Sequence, residues 1–169
     1  MAEKKLPMQT TTVGSYPVPV WLQTTPSQQA VSDAIRVVVD TQRQAGIDLP
    51  TDGELYRFDI NHPDTNGMIE YFIRPLEGVE SAAGWGDWKE FRRKSTMSFR
   101  TQPAGVVTGP IGEGTLNLPG ACARTTGIVG EQVKFTVTSP YMLARTLLDK
   151  HYGDFAELTM ALAHTLASQ

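Results

Sequence analysis

The stretch from Thr10 to Thr51 leaves this chain few choices of fold. Thr10-Thr11-Thr12-Val13-Gly14-Ser15 is β-branched and then small, which suits a short strand, Thr10–Ser15, running into a loop. Pro17 and Pro19 then forbid regular structure, and Trp21 and Leu22 are expected to pack the returning loop. Val31, Ile35, Val38, Val39 and Ala45 fall near the i, i+3, i+4, i+7 template, with Arg36, Asp40 and Arg43 elsewhere, which predicts an amphipathic helix. Ser27 or Ser32 caps its start and Gly46 stops it. Ile47–Thr51 is the second strand. Strand, helix and strand with ordinary connections form a βαβ unit, which implies a parallel pair.

The turn after the second strand is where chemistry is expected. In β/α proteins catalytic groups sit at the C-terminal edge of the sheet. Here the chain runs Leu49-Pro50-Thr51-Asp52-Gly53-Glu54-Leu55-Tyr56-Arg57. Gly53 permits a sharp turn, and Glu54 projects with Arg57 close behind. The bland alternatives are a surface Glu54 paired with Arg57, a Ser15 that caps a turn, and an Asp52 that orients Arg57 or caps a helix.

Further along, residues 58–66 are polar and broken by Pro63. Met68–Leu76 reads as helical until Pro75, and Ser81–Trp88 as a loop. Lys94–Arg100 and Gly105–Gly109 read as two strands of a hairpin. Gly112–Gly130 is a long, weakly patterned loop, a kind that is usually functional or packed against another chain. Val133–Val137 is a third strand, followed by a helix over Tyr141–Leu148. Asp154 caps a final helix striped with Phe155, Leu158, Leu162 and Leu166.

Composition narrows the function classes. With 169 residues, 40% hydrophobic and 20% charged, the chain reads as one domain, 1–169, with material for a core. A net charge of −3 without a basic block argues against nucleic acid as a partner. No apolar run is long enough to span a bilayer, and residues 1–9 form a loose tail without a secretory h-region. No membrane partner and a cytoplasmic location are expected. Cys122, the only cysteine, reads as inert. His62, His151 and His164 have no metal-ligand spacing, and His62 reads as an exposed loop residue.

Several segments together resemble the cobalamin-independent methionine synthase family: Val13-Gly14-Ser15-Tyr16-Pro17, Asp52-Gly53-Glu54 with Arg57, Met68-Ile69-Glu70-Tyr71-Phe72, Val106–Ile111 and Val133–Leu143. The resemblance implies an α/β fold, a partial (β/α)8 TIM barrel, and alkyl transfer to a zinc-bound thiolate. By resemblance, Val13, Gly14 and Ser15 hold the amino-acid part of homocysteine, and Glu54 accepts hydrogen bonds from its ammonium group. Arg57 joins this substrate-binding set. Arg100 lies near a family arginine on the folate side, while the family's folate-stacking aromatic is replaced near Thr146. The family's Asp-Glu-Pro strand and its His, Cys and Glu zinc ligands have no counterpart here.

A complete barrel needs about 250 residues. Three parallel strands leave two open edges and an uncovered inner face. The expectation is therefore the N-terminal half of a barrel, completed by a second polypeptide that also brings zinc, with this chain holding no metal. A natural-looking start and a complete final helix favour a split subunit over a fragment. The expected function is methyl or alkyl transfer to a small-molecule thiol such as homocysteine, with the donor open. The alternatives are a carbon–sulfur bond-forming or lyase subunit resembling epoxyalkane–coenzyme M transferase, and a non-catalytic assembly subunit.

Overall fold

The computed structural model describes residues 8–61, 66–95, 97 and 100–169. Most of the tail over 1–9, and His62, lie outside the described residues. In chain order the elements are α1 (Val20–Thr24), α2 (Gln28–Gln44), a 3-10 turn (Leu55–Arg57), α3 (Glu70–Ile73), β1 (Glu77–Glu80), α4 (Trp85–Lys94), β2 (Gly105–Gly112), α5 (Leu118–Val129), α6 (Pro140–Thr146), β3 (Leu147–Asp149) and α7 (Phe155–Ala167). They pack as two compact units, Met1–Asp64 with Pro119–Thr136, and Thr65–Leu118 with Val137–Gln169. Among the described residues no helix is long and apolar enough to cross a membrane.

The first unit is built on α2. Ser27 caps it by accepting from the Ala30 amide at 3.1 Å, and Gly46 leaves it with φ +80°. The expected stripe is the core: Val31, Ile35, Val38 and Val39 are buried with Ala34, Leu22 and Leu55. Each buried Val, Leu or Ile side chain contributes about 1.5–3 kcal/mol. Ala45 remains exposed. The proline segment does not exclude helix, because α1 begins directly after Pro19, whose carbonyl accepts from Leu22 and Gln23.

The parallel pair is present, yet it shrinks to a single bridge between Thr11 and Leu49. The reason lies in Pro50 and Gln42. Pro50 has no amide to donate to a ladder. At Thr51, the next residue, both backbone groups go to one side chain: its N–H donates to Gln42 Oε1 at 3.0 Å, and its carbonyl accepts from Gln42 Nε2 at 2.7 Å. Thr12 Oγ1 donates to the same Gln42 Oε1 at 2.7 Å. A buried amide side chain thus replaces strand pairing. Val133–Val137 is likewise no strand; the Lys134 amide ties it to the Pro50 carbonyl at 2.9 Å.

The second unit holds a three-stranded sheet in the order β1-β2-β3. The expected hairpin between Lys94–Arg100 and Gly105–Gly109 is absent among the described residues, and residues 96, 98 and 99 lie outside them. β2 pairs antiparallel with β1 and parallel with β3, while Lys94 ends α4. β1 carries an irregularity at Gly78, with φ +77°. A Cβ there would lie 2.2 Å from the Pro110 carbonyl oxygen, so only glycine fits.

Four further assignments change. Ser81–Trp88 is not all loop: α4 starts at Trp85, with Asp87 accepting from the Gly84 amide at 2.8 Å. Within Gly112–Gly130 lies α5, whose buried positions Leu118, Ala121 and Thr125 keep helical spacing with small or polar side chains. The helix over Met68–Leu76 is only the short α3. The helix over Tyr141–Leu148 ends at Thr146, and Leu147–Asp149 turns into β3. The final helix forms as expected, with Asp154 accepting from the Ala156 and Glu157 amides. Leu158 and Leu162 are buried, and Phe155 is partly exposed.

Gln42→Leu keeps the apolar volume and removes every partner that Gln42 gives to Thr51 and Thr12. Leaving those backbone groups unpaired is expected to cost on the order of 2 kcal/mol or more in urea unfolding. A midpoint equal to that of the wild type would show that the amide is dispensable.

Candidate functional site

The turn at Asp52-Gly53-Glu54 is organised by its first residue. Asp52 is 2% exposed. Its Oδ1 accepts from the Glu54 amide at 2.9 Å and its Oδ2 from the Tyr56 amide at 3.1 Å. These bonds hold Glu54 at φ 64° and ψ 16°, the left-handed region that a side chain rarely occupies. Gly53, at φ +65°, passes under the Gly14–Tyr16 loop: its carbonyl accepts from the Tyr16 amide at 2.8 Å. A Cβ on Gly53 would meet the Tyr16 Cβ at 2.5 Å.

The left-handed turn aims Glu54 at three partners within the first unit. Its Oε2 accepts from Ser15 Oγ at 3.0 Å and from Arg57 Nη1 at 3.1 Å. Its Oε1 accepts from Thr136 Oγ1 at 3.1 Å. A carboxylate offers about four lone-pair positions, so Oε1 keeps capacity for one more donor. The Glu54 side chain is 14% exposed, and Arg57 only 4%.

Arg57 stands behind this carboxylate. Its Nη2 donates to the Thr136 carbonyl at 2.8 Å, and its Nε to Tyr56 Oη at 2.9 Å. Tyr56 Oη in turn donates to the same Thr136 carbonyl at 2.7 Å. The Tyr56 ring packs on Phe135 with centroids 4.2 Å apart. Five polar side chains therefore form one network in which charge is balanced and nearly every donor has an acceptor.

The residues singled out from sequence separate into two places. Ser15, Glu54 and Arg57 share the network. Gly14 adjoins it at φ +102°, where an added Cβ would meet nothing, and Val13 stands exposed beside it. Arg100 belongs to the second unit, where it pairs with Glu70 and donates through Nε to the Gln102 carbonyl at 2.7 Å. Thr146 is fully buried there, its hydroxyl donating to the Leu143 carbonyl. Sequence reasoning missed Thr136 and Tyr56. Thr136 was hidden in a β-branched run that reads as strand interior.

Chemically, the network suits a cationic or zwitterionic ligand. A single carboxylate with two hydroxyls is a weak zinc donor set, and the buried Arg57 guanidinium opposes a dication beside it. Zinc does not fit here. Among the described residues no cluster of three or more His, Cys, Asp or Glu side chains is placed to hold a metal ion.

No family model matches the chain. Individual proteins do. It is 26% identical over 181 residues to a methionine synthase of Sulfolobus acidocaldarius, covering 98% of this chain and 48% of that protein. It is 28% identical over 175 residues to a methionine synthase of Saccharolobus islandicus, covering 96% of this chain and 48% of that protein. Among solved structures, a B12-independent methionine synthase from Shewanella sp. W3-18-1 in complex with selenomethionine superposes with a TM-score of 0.66 at 22% identity. That match covers 94% of this chain and 46% of the other. The chain thus spans about half the length of the curated relatives it matches, and its fold is that of part of a methionine synthase.

Burial raises the Asp52 pKa above its ordinary 3.8, against the lowering effect of the Glu54 and Tyr56 amides and of Arg57. Between the unfolded and folded values the native state binds more protons, so Asp52 makes stability fall as pH rises through that window. The urea midpoint of the wild type should therefore drop relative to that of Asp52→Asn as the pH is raised from the ordinary carboxylate value. A difference constant across acidic pH would contradict this assignment.

Proposed function

We propose, from the premise that this chain is a partial relative of the cobalamin-independent methionine synthases, that it provides the amino-acid-binding wall of a methyl- or alkyltransferase acting on a thiol such as homocysteine. The observation that supports this reading is the Glu54 carboxylate, oriented by Ser15, Thr136 and Arg57 and retaining acceptor capacity on Oε1. An ammonium group is the natural donor for it, since charge-assisted hydrogen bonds are about twice as strong as neutral ones. Gly14 leaves open space for a ligand's approach, and Ser15 offers a hydroxyl.

In this reading the chain binds and orients; it does not activate the thiol. Arg57 is a positioning residue, holding Glu54 from behind. Zinc and the residues that bind it arrive with a second polypeptide, which also completes the barrel around the parallel Thr11–Leu49 contact. The chain acts as one domain of that assembly. The methyl donor is left open by these residues.

The competing enzyme reading, carbon–sulfur bond formation in the manner of epoxyalkane–coenzyme M transferase, ranks lower on charge. A thiol ending in a sulfonate presents Glu54 with a second anion and no ammonium. A purely structural subunit would have no use for the spare acceptor on Glu54.

Calorimetry with two thiols tests the assignment. Homocysteine should bind at least tenfold more weakly to Glu54→Gln than to the wild type. 4-Mercaptobutanoate, which lacks the ammonium, should bind both proteins equally weakly. Equal loss for both thiols, or none for homocysteine, would remove Glu54 from the site. Purification from the native host should bring a second polypeptide that confers methyl transfer to homocysteine. A monodisperse monomer by light scattering would overturn the split-enzyme part of the proposal.

A further inference from the structure

Asn66 and Gly67 form the one Asn-Gly pair in the chain. They lead into α3, inside the second unit. Asn66 is exposed and Gly67 half-buried. The Asn66 backbone carbonyl accepts from the Ile69 amide at 3.1 Å and from the Glu70 amide at 2.9 Å. Its side-chain Oδ1 accepts from the Met68 amide at 3.0 Å. This Asx turn closes a ring that holds both the Asn66 Cγ and the Gly67 nitrogen. Asn66 Nδ2 and the Gly67 N–H make no hydrogen bond among the described residues.

These features meet the needs of one reaction. An asparagine side-chain amide is attacked by the next backbone nitrogen once that nitrogen has lost its proton. A hydrogen bond on that N–H opposes the loss, and a Cβ on the following residue crowds the approach. Gly67 carries neither obstacle. The Met68 amide, donating to Oδ1, stands where negative charge develops as the carbonyl is attacked, so the turn stabilises the intermediate it has to form. Asn117 is the contrast within the same chain. It is followed by Leu118, a branched residue whose N–H donates to Gln169 Oε1 at 3.0 Å.

We propose that Asn66 is a self-modification site that deamidates with water as its only co-reactant. The Gly67 nitrogen gives its proton to solvent base and bonds to Asn66 Cγ. The Cγ–Nδ2 bond then breaks, and Nδ2 takes up a proton and leaves as ammonia. The product is a cyclic imide, which water opens in two ways. Attack at Cγ breaks its bond to the Gly67 nitrogen and leaves an aspartate in the normal chain. Attack at the backbone carbonyl carbon leaves an isoaspartate, in which the chain runs through Cγ and the former backbone carbonyl becomes a free carboxylate. That carbonyl is the one to which the Ile69 and Glu70 amides donate. Ile69, Phe72 and Ile73 are each no more than 2% exposed, and Glu70 pairs with Arg100. Rerouting the chain at residue 66 therefore loosens the start of α3 and the ion pair that α3 carries. Nothing in this site depends on the Glu54 network, so the two assignments stand or fall separately.

The test is to hold the purified full-length chain, in whatever assembly it adopts, in mildly alkaline buffer at physiological temperature. Peptide mapping by tandem mass spectrometry follows the exchange of NH2 for OH at each asparagine, and enzymatic methyl labelling of isoaspartate follows the rerouted product. Conversion at Asn66 should run at least fivefold faster than at Asn117, and less than threefold slower than in the same chain unfolded in urea. Gly67→Ala should slow it at least fivefold. Circular dichroism establishes that this variant is folded; if it is not, the comparison of folded with urea-unfolded wild type carries the test. After incubation the wild type should lose urea midpoint relative to its fresh sample, while Gly67→Ala keeps its own. A smaller ratio to Asn117 would overturn the proposal, as would a folded protein that converts threefold or more slowly than the unfolded chain. An unchanged rate in the folded Gly67→Ala variant would do so too, and an undiminished midpoint in isoaspartate-rich wild type would overturn the link to α3.

Discussion

The side-chain amide of Gln42 supplies Thr51 with both hydrogen bonds that a neighbouring strand would otherwise provide. Gln42 lies near the C-terminal end of α2, on the face that packs the first core. One residue thereby couples helix position to strand position: α2 cannot turn or slide without breaking bonds to Thr51, and through Oε1 to Thr12. Both strand segments that carry the site residues are anchored at this point. Ser15 follows three residues after Thr12, and Glu54 three after Thr51. A buried, satisfied amide of this kind contributes more to uniqueness than to net stability, because any shifted arrangement leaves backbone groups unpaired.

From that anchor the chemistry of the site follows a different logic. Arg57 is buried, and an unpaired buried cation is far more costly than any single contact in the turn. Its placement therefore requires acceptors on several sides, and Glu54, Tyr56 and Thr136 provide them. The same requirement fixes Glu54, which cannot swing toward solvent without leaving Arg57 and two hydroxyls short of a partner. The carboxylate is thus fixed by the protein's own groups, with little side-chain freedom left to it.

Much of this was legible from residue order alone. The α2 stripe, the Ser27 and Asp154 caps, the Gly46 stop and the sharp turn at Asp52–Glu54 follow from spacing and from the chemistry of single residues. Strand assignments fared worse. Runs of β-branched residues fit the Thr10–Ser15, Ile47–Thr51 and Val133–Val137 segments, yet ladders need donors as well as shape. Pro50 removes one donor, and Gln42 captures another from 9 residues away in sequence. α5 escaped notice because its buried face is made of Ala121 and Thr125, which carry little periodic signal. Thr136 was invisible as a site residue because its partners, Glu54 and Arg57, lie about 80 positions away. Arg100 was marked as a substrate-binding residue from a resemblance, and its partner Glu70 emerges only from the folded chain.

Glu54 is the one non-glycine residue with positive φ among those described. Backbone preference and side-chain chemistry therefore pull in opposite directions at this position. Glycine or asparagine would occupy the same turn with less strain, which is worth about 1–3 kcal/mol. That gain is outweighed by the loss it would cause, because the buried Arg57 and the hydroxyls of Ser15 and Thr136 all end on the same carboxylate. The strain at residue 54 is thus carried on behalf of a neighbour: the backbone gives up a small preference so that a buried cation three positions away keeps its counter-charge.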